Sequence, residues 1–189
     1  LERLSTEEGL SQGTVNSIAQ DEFGYLWIAT ARGLNRYDGY NLSVFKTNDT
    51  ALSSDNILKI SRLSNGFFLV SAQLHGLYLV DPATLTSKLL ITYSESELEM
   101  EYPSVWDMVQ DPHDPDIVWL AINTYVYRYN LRTTELQRIA GIESQLHMVR
   151  TILPTGDGLY VGTYNGLYKY SHGSGDFTLM QDTPSDNPS

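Results

Sequence analysis

The residues best equipped for chemistry in this chain are its carboxylates and histidines. Asp111-Pro-His-Asp-Pro-Asp116 gathers three carboxylates and His113 within six residues. A hard cation takes several oxygen ligands from such a loop. The calcium-loop pattern D-x-[DN]-x-[DN]-G with its distal Glu is missing, however, so a solvated turn is expected and no metal ligand is assigned. His75, His113, His147 and His172 form no Ser–His–acid or His-x-x-x-His arrangement. Asp21 and Asp111 stand where hairpins turn, and each is expected to cap its turn through side chain to backbone hydrogen bonds. With no cysteine, thiol catalysis, an iron–sulfur site and a disulfide scaffold are excluded. No catalytic residue, metal or cofactor is assigned, and the chain is read as not an enzyme.

Binding chemistry is better represented. The 13 tyrosines and three tryptophans could stack on sugars. Those that recur at equivalent repeat positions, Trp27 and Trp119 among them, are instead expected to pack one repeat against the next. Twenty-three acidic against 12 basic side chains give a net charge of −11, which argues against a nucleic-acid partner because phosphate binding needs clustered Lys and Arg. The longest apolar stretch, Ile117 to Ile122, is too short to cross a bilayer.

The elements that must position these groups repeat four times. Markers Val15, Ile57, Val105 and Val149 are separated by 42, 48 and 44 residues. Trp27, Leu69, Trp119 and Tyr160 give 42, 50 and 41, and Leu34, Leu77, Val126 and Leu167 give 43, 49 and 41. Each unit holds four β-prone runs separated by turn residues. The second runs, such as Ile117-Val-Trp-Leu-Ala121, are almost wholly apolar, as suits strands buried on both faces. Four strands per period of 41–50 residues predict all-β propeller blades, four four-stranded antiparallel units of an incomplete propeller. The expected limits are about 10–47, 52–93, 102–141 and 145–182, in one region spanning 1–189.

The run Leu10-Ser-x-x-x-Val15-x-x-Ile18-x-Gln20-Asp21-x-x-Gly24-x-Leu26-Trp27-Ile28-x-Thr30-x-x-Gly33-Leu34-x-x-Tyr37-Asp38-Gly39 resembles the two-component regulator propeller repeat. The fourth unit follows it well and the second moderately. The third lacks the T-x-x-G turn and has Ile122-Asn-Thr-Tyr125. The resemblance implies the periplasmic sensor region of a bacterial membrane histidine kinase, hybrid kinase or diguanylate cyclase, which binds a signal and relays it to output domains absent here. It also implies that residues 1–5 serve as the closing strand of a last blade, and that Thr183–Ser189 echoes the connector before blade two. This D-x-x-G-x-x-W spacing differs by one residue from the sialidase Asp box, S-x-D-x-G-x-x-W. It is similar to streptogramin lyase, so a propeller lyase or hydrolase is one alternative function and a ligand-free scaffold for protein partners is another.

Propellers bind through loops rather than strands. By analogy with them, the loops between second and third strands share one face with the connectors between blades. The candidates there are Arg32, His75, Tyr125, Tyr164 and Asn165, with connector residues Asn48, Asp49 and Ser54. Such a rim suits an oligosaccharide or another small polar signal. Glu95, Glu97, Glu99 and Glu101 read as a solvated connector. The expected partners are the signal molecule, further blades of the same protein, and a second copy of the chain through uncovered blade faces.

Overall fold

The computed structural model describes residues 3–47, 52–92, 103–139 and 148–182, and for 181–182 only the backbone. The acidic run 95–101, Asn48, Asp49, His147 and 183–189 lie outside the described residues. So do Leu1 and Glu2; Arg3 and Leu4 run without strand pairing to Ser5, which caps a 3-10 turn at Thr6–Glu8. The chain divides into two compact units, Leu1–Val105 and Trp106–Ser189.

The first unit holds two antiparallel meanders. One is β1 (Val15–Gln20), β2 (Leu26–Thr30), β3 (Gly33–Tyr37) and β4 (Leu42–Phe45); the other is β5 (Ile57–Arg62), β6 (Phe68–Ala72), β7 (Gly76–Val80) and β8 (Ser87–Thr92). Two more meanders follow: β9 (Val105–Gln110), β10 (Ile117–Ile122), β11 (Tyr125–Asn130) and β12 (Leu136–Arg138), then β13 (Val149–Thr155), β14 (Gly158–Thr163), β15 (Gly166–Ser171) and β16 (Phe177–Asp182). All four sheets are four-stranded, with strands paired in chain order, as propeller blades are.

Turn chemistry explains the hairpins. In the T-x-x-G turns Thr30 Oγ1 donates to Gly33 O at 3.1 Å and Thr163 Oγ1 to Gly166 O at 2.9 Å. Gly33 has φ +144°, and a Cβ there would lie 3.2 Å from Phe45 O, so both backbone angle and space call for glycine. The third blade has no glycine at this turn, and Asn123 supplies the positive φ instead, at +52°.

Packing follows the alternation of side chains across each sheet. Trp27, Ala29 and Leu34 of the first blade meet Phe68, Val70 and Ala72 of the second in one core. Trp27 is fully buried, with Phe45 stacked on it at 5.7 Å and Phe68 edge-on at 5.6 Å. Removing such a ring costs about 3–5 kcal/mol. Trp119 and Ala121 likewise meet Leu159 and Val161 between the third and fourth blades. The face of the fourth blade turned away from the third carries Leu153, Tyr160 and Leu167. Leu153 on it is 62% exposed.

The first strands are sheet edges, whose free N–H groups need partners. Neighbouring blades supply them. Ile60 N–H donates to Ser17 Oγ at 3.2 Å, and Asn16 Nδ2 donates to Ile57 O at 2.8 Å. In the second unit Ile152 N–H and Thr151 Oγ1 donate to Asp107 Oδ2 at 3.0 and 2.9 Å. Asp107 is buried, and these bonds satisfy its carboxylate.

Candidate functional site

Each first strand begins beside the end of its second strand: Val15 pairs with Thr30, Ile57 with Ala72 and Val149 with Thr163. Immediately after each of these pairs the register slips by one residue. The extra residue is Asn16, Leu58 or Arg150; Trp106 follows Val105 at the corresponding place in the third blade. A bulge of this kind leaves one residue unpaired in the ladder and re-aims its side chain. The bulged position therefore sits at the same end of the blade as the loop between second and third strands.

In the second unit that end assembles a cluster. The Arg150 guanidinium carbon lies 4.0 Å from the Trp106 ring centroid and 5.5 Å from that of Tyr164. Stacking on both rings restricts an exposed guanidinium without consuming its hydrogen-bond donors. Tyr164 is 63% exposed. Asn165 is held by Thr163 Oγ1, which donates to its Oδ1 at 2.7 Å, while its Nδ2 donates to Tyr168 Oη at 3.3 Å. Trp106 Nε1 is buried without a hydrogen-bond partner. The group presents a cation, an aromatic face and an amide together, a set suited to the hydroxyl, carboxylate and ring faces of a polar ligand.

The other loop residues make contacts within their own blades. Tyr125 lies under the Arg138 guanidinium, 5.3 Å from its ring centroid, and its ring is 6.3 Å from that of Tyr127. In the first unit Arg32 and His75 are exposed on their hairpins, held by backbone N–H bonds to Thr30 Oγ1 and Ala72 O. Ser54 Oγ accepts from Asn56 N–H at 3.1 Å. Within the second unit, Tyr164 and Asn165 of the expected loop residues adjoin Arg150 and Trp106. The signal for these last two was the residue that follows the first-strand Val or Ile in every repeat.

The carboxylates are engaged structurally. Asp21 Oδ1 accepts from Phe23 and Tyr25 N–H, both at 2.9 Å. Asp111 Oδ1 accepts from His113 and Asp114 N–H at 2.9 and 3.2 Å. Burial pushes the Asp111 carboxyl up, but hydrogen bonds from Trp119 Nε1–H and those two N–H groups outweigh it and hold the group below the ordinary carboxylate value. Asp116 pairs with Arg132 at 3.4 Å. Among the described residues no group of three or more acidic or histidine side chains could hold a metal, and no helix is long and apolar enough to cross a membrane.

Residues 9–32 match the family model described as two component regulator propeller. That match lies within the first blade and its approach. Over 41 residues, 22% of this chain and 3% of the relative, the chain is 44% identical to Histidine kinase P4 of Formosa agariphila. The fold of the chain is similar to the extracellular domain of the hybrid two component system BT3049 of B. thetaiotaomicron, with a TM-score of 0.78 and 20% identity. That match covers 95% of this chain and 26% of the other, so the chain spans about a quarter of the solved domain. Virginiamycin B lyase of Staphylococcus aureus shares the propeller fold at a TM-score of 0.65 and 12% identity, over 91% of this chain and 56% of the lyase. At these identities the solved structures speak for the fold alone.

Proposed function

We propose that this regulator-propeller chain belongs to the periplasmic sensor region of a bacterial membrane receptor. It binds a signal and passes it to histidine kinase or diguanylate cyclase domains elsewhere in the protein. The observation that carries the binding role is the Arg150 guanidinium set against Trp106 and exposed Tyr164 at the loop end of the second unit. A small polar ligand, an oligosaccharide in particular, finds there a face to stack on and donors to bond with. The regulator-propeller match supports the sensor reading.

The chain itself is proposed to bind and not to catalyse. Its best-placed carboxylates, Asp21 and Asp111, already accept three hydrogen bonds each, which leaves neither poised to move a proton. Relay requires that the ligand prefer one of two arrangements of the receptor. The uncovered face with Leu153 and Leu167 takes another blade, and at high concentration a second copy of the chain. Calorimetric titration with an oligosaccharide panel tests the binding role. Saturable heat that disappears in Tyr164→Ala supports it; heat unchanged by that substitution rejects it.

A further inference from the structure

The seams between blades differ in what fills them. In the first unit Arg36 pairs across the sheet with Trp27. Its guanidinium carbon lies 5.3 Å from the Tyr25 ring centroid, 5.6 Å from Phe45 and 5.7 Å from Trp27. In the second unit Arg128 pairs with Trp119 in the same register. The positions of Tyr25, Phe45 and Phe68 are there taken by Ile117, Ile139 and Leu159. At these three positions rings have become aliphatic side chains, while Tyr170, where the first seam has Val80, and His172 bring rings to the other side of the second seam.

A cavity of about 360 Å³ occupies this second seam, bounded by Ile117, Trp119, Arg128 and Ile139. Asp114 and His172, which also line it, lie at the end of the blades opposite Tyr164. The His172 ring stacks on Trp119 at 5.6 Å. Arg128 is half-buried, and among the described residues its guanidinium has no hydrogen-bond or ion-pair partner. Asp114 Oδ1 accepts from Asp116 N–H at 3.0 Å, and its Oδ2 has no hydrogen-bond partner among the described residues. The volume falls within the range of small-molecule sites.

We propose that this seam is a binding site for a small aromatic amine. The ring takes the space that aromatic side chains fill in the first seam and lies against Arg128, as Tyr25 and Phe45 lie against Arg36. The protonated amine meets the Asp114 carboxylate on the cavity wall. This site is separate from the loop-end cluster and stands or falls without it.

The test is a titration of the ¹⁵N-labelled chain followed through its three tryptophan indole N–H resonances, assigned by Trp→Phe variants. 2-Phenylethylamine should move the Trp119 resonance saturably and leave those of Trp27 and Trp106 in place. Butylamine, which lacks the ring, and 3-phenylpropionate, which reverses the charge, should move it little. Asp114→Asn should weaken binding about threefold, the scale of an exposed ion pair. Ile139→Phe, which restores the residue type of Phe45, should abolish it, while Ile139→Leu, of equal volume, should preserve it. The proposal is overturned if Trp119 does not respond up to about 10 mM amine, a limit set by millimolar affinity. It is equally overturned if the propionate or butylamine binds as well, or if Ile139→Leu loses binding together with Ile139→Phe.

Discussion

Trp27 Nε1–H donates to Asp21 Oδ2 at 2.8 Å, and Trp119 Nε1–H donates to Asp111 Oδ2 at the same distance. One carboxylate thus closes the hairpin at the end of the first strand and fixes the indole that packs against the next blade. Local turn and inter-blade core are joined through a single side chain, and the arrangement recurs 90 residues later (111 − 21).

Removing that carboxylate orphans two backbone N–H groups and a buried indole N–H. Asp21→Ala should therefore lower stability by about 2–4 kcal/mol, on the scale of buried donors left unpaired. The midpoint of urea unfolding measures this. A shift no larger than that of an exposed substitution, such as Glu22→Ala, would show that the bond contributes little.

The first-strand edge makes a second prediction. Asp107 holds the Ile152 N–H and the Thr151 hydroxyl of the next blade. Asp107→Ala should cost about 2–3 kcal/mol. In hydrogen exchange the Ile152 amide should lose protection before amides inside β14 do. Uniform loss of protection across the fourth blade would contradict a local role.

Acid sensitivity follows from Asp111. Its carboxyl is held below its ordinary value, so its stabilising contribution is complete above the unfolded-state carboxylate range. That contribution is lost as pH falls through the depressed folded value. Asp111→Asn removes this titration. Between about pH 6 and about pH 3 the wild type should lose more urea stability than the variant, and parallel losses would contradict the assignment.

At the loop end, Arg150→Ala and Tyr164→Ala should each weaken oligosaccharide binding about tenfold or more, the loss of a central stacked residue. Thermal midpoints should stay within about 2 °C, because both side chains are exposed. Matching losses of binding and stability would make the cluster structural.

Much of this architecture was legible in the residues, because a blade is a local object. Strand runs such as Ile117–Ile122, the T-x-x-G turns and the Asp21 and Asp111 caps each depend on neighbours within about ten positions. The burial of Trp27 and Trp119 followed from their recurrence. What escaped depends on distance along the chain. Arg150 reaches Trp106 across 44 residues (150 − 106), and only a one-residue slip in β13 brings it there. Strand periodicity does not reveal a bulge. Asp107 reads as one more polar residue of an alternating strand until Ile152 is placed beside it. Tyr125 shares its loop position with Tyr164, and its contact with Arg138 on the neighbouring strand is equally invisible in the periodicity.

The Arg150–Trp106–Tyr164 cluster is proposed to receive the signal of a membrane receptor. Its most direct test is the output of the intact receptor, kinase or cyclase, measured in cells while oligosaccharide is titrated. A saturable response is expected, with a midpoint that rises about tenfold or more in Tyr164→Ala at equal receptor level. An identical dose response in wild type and variant would contradict it.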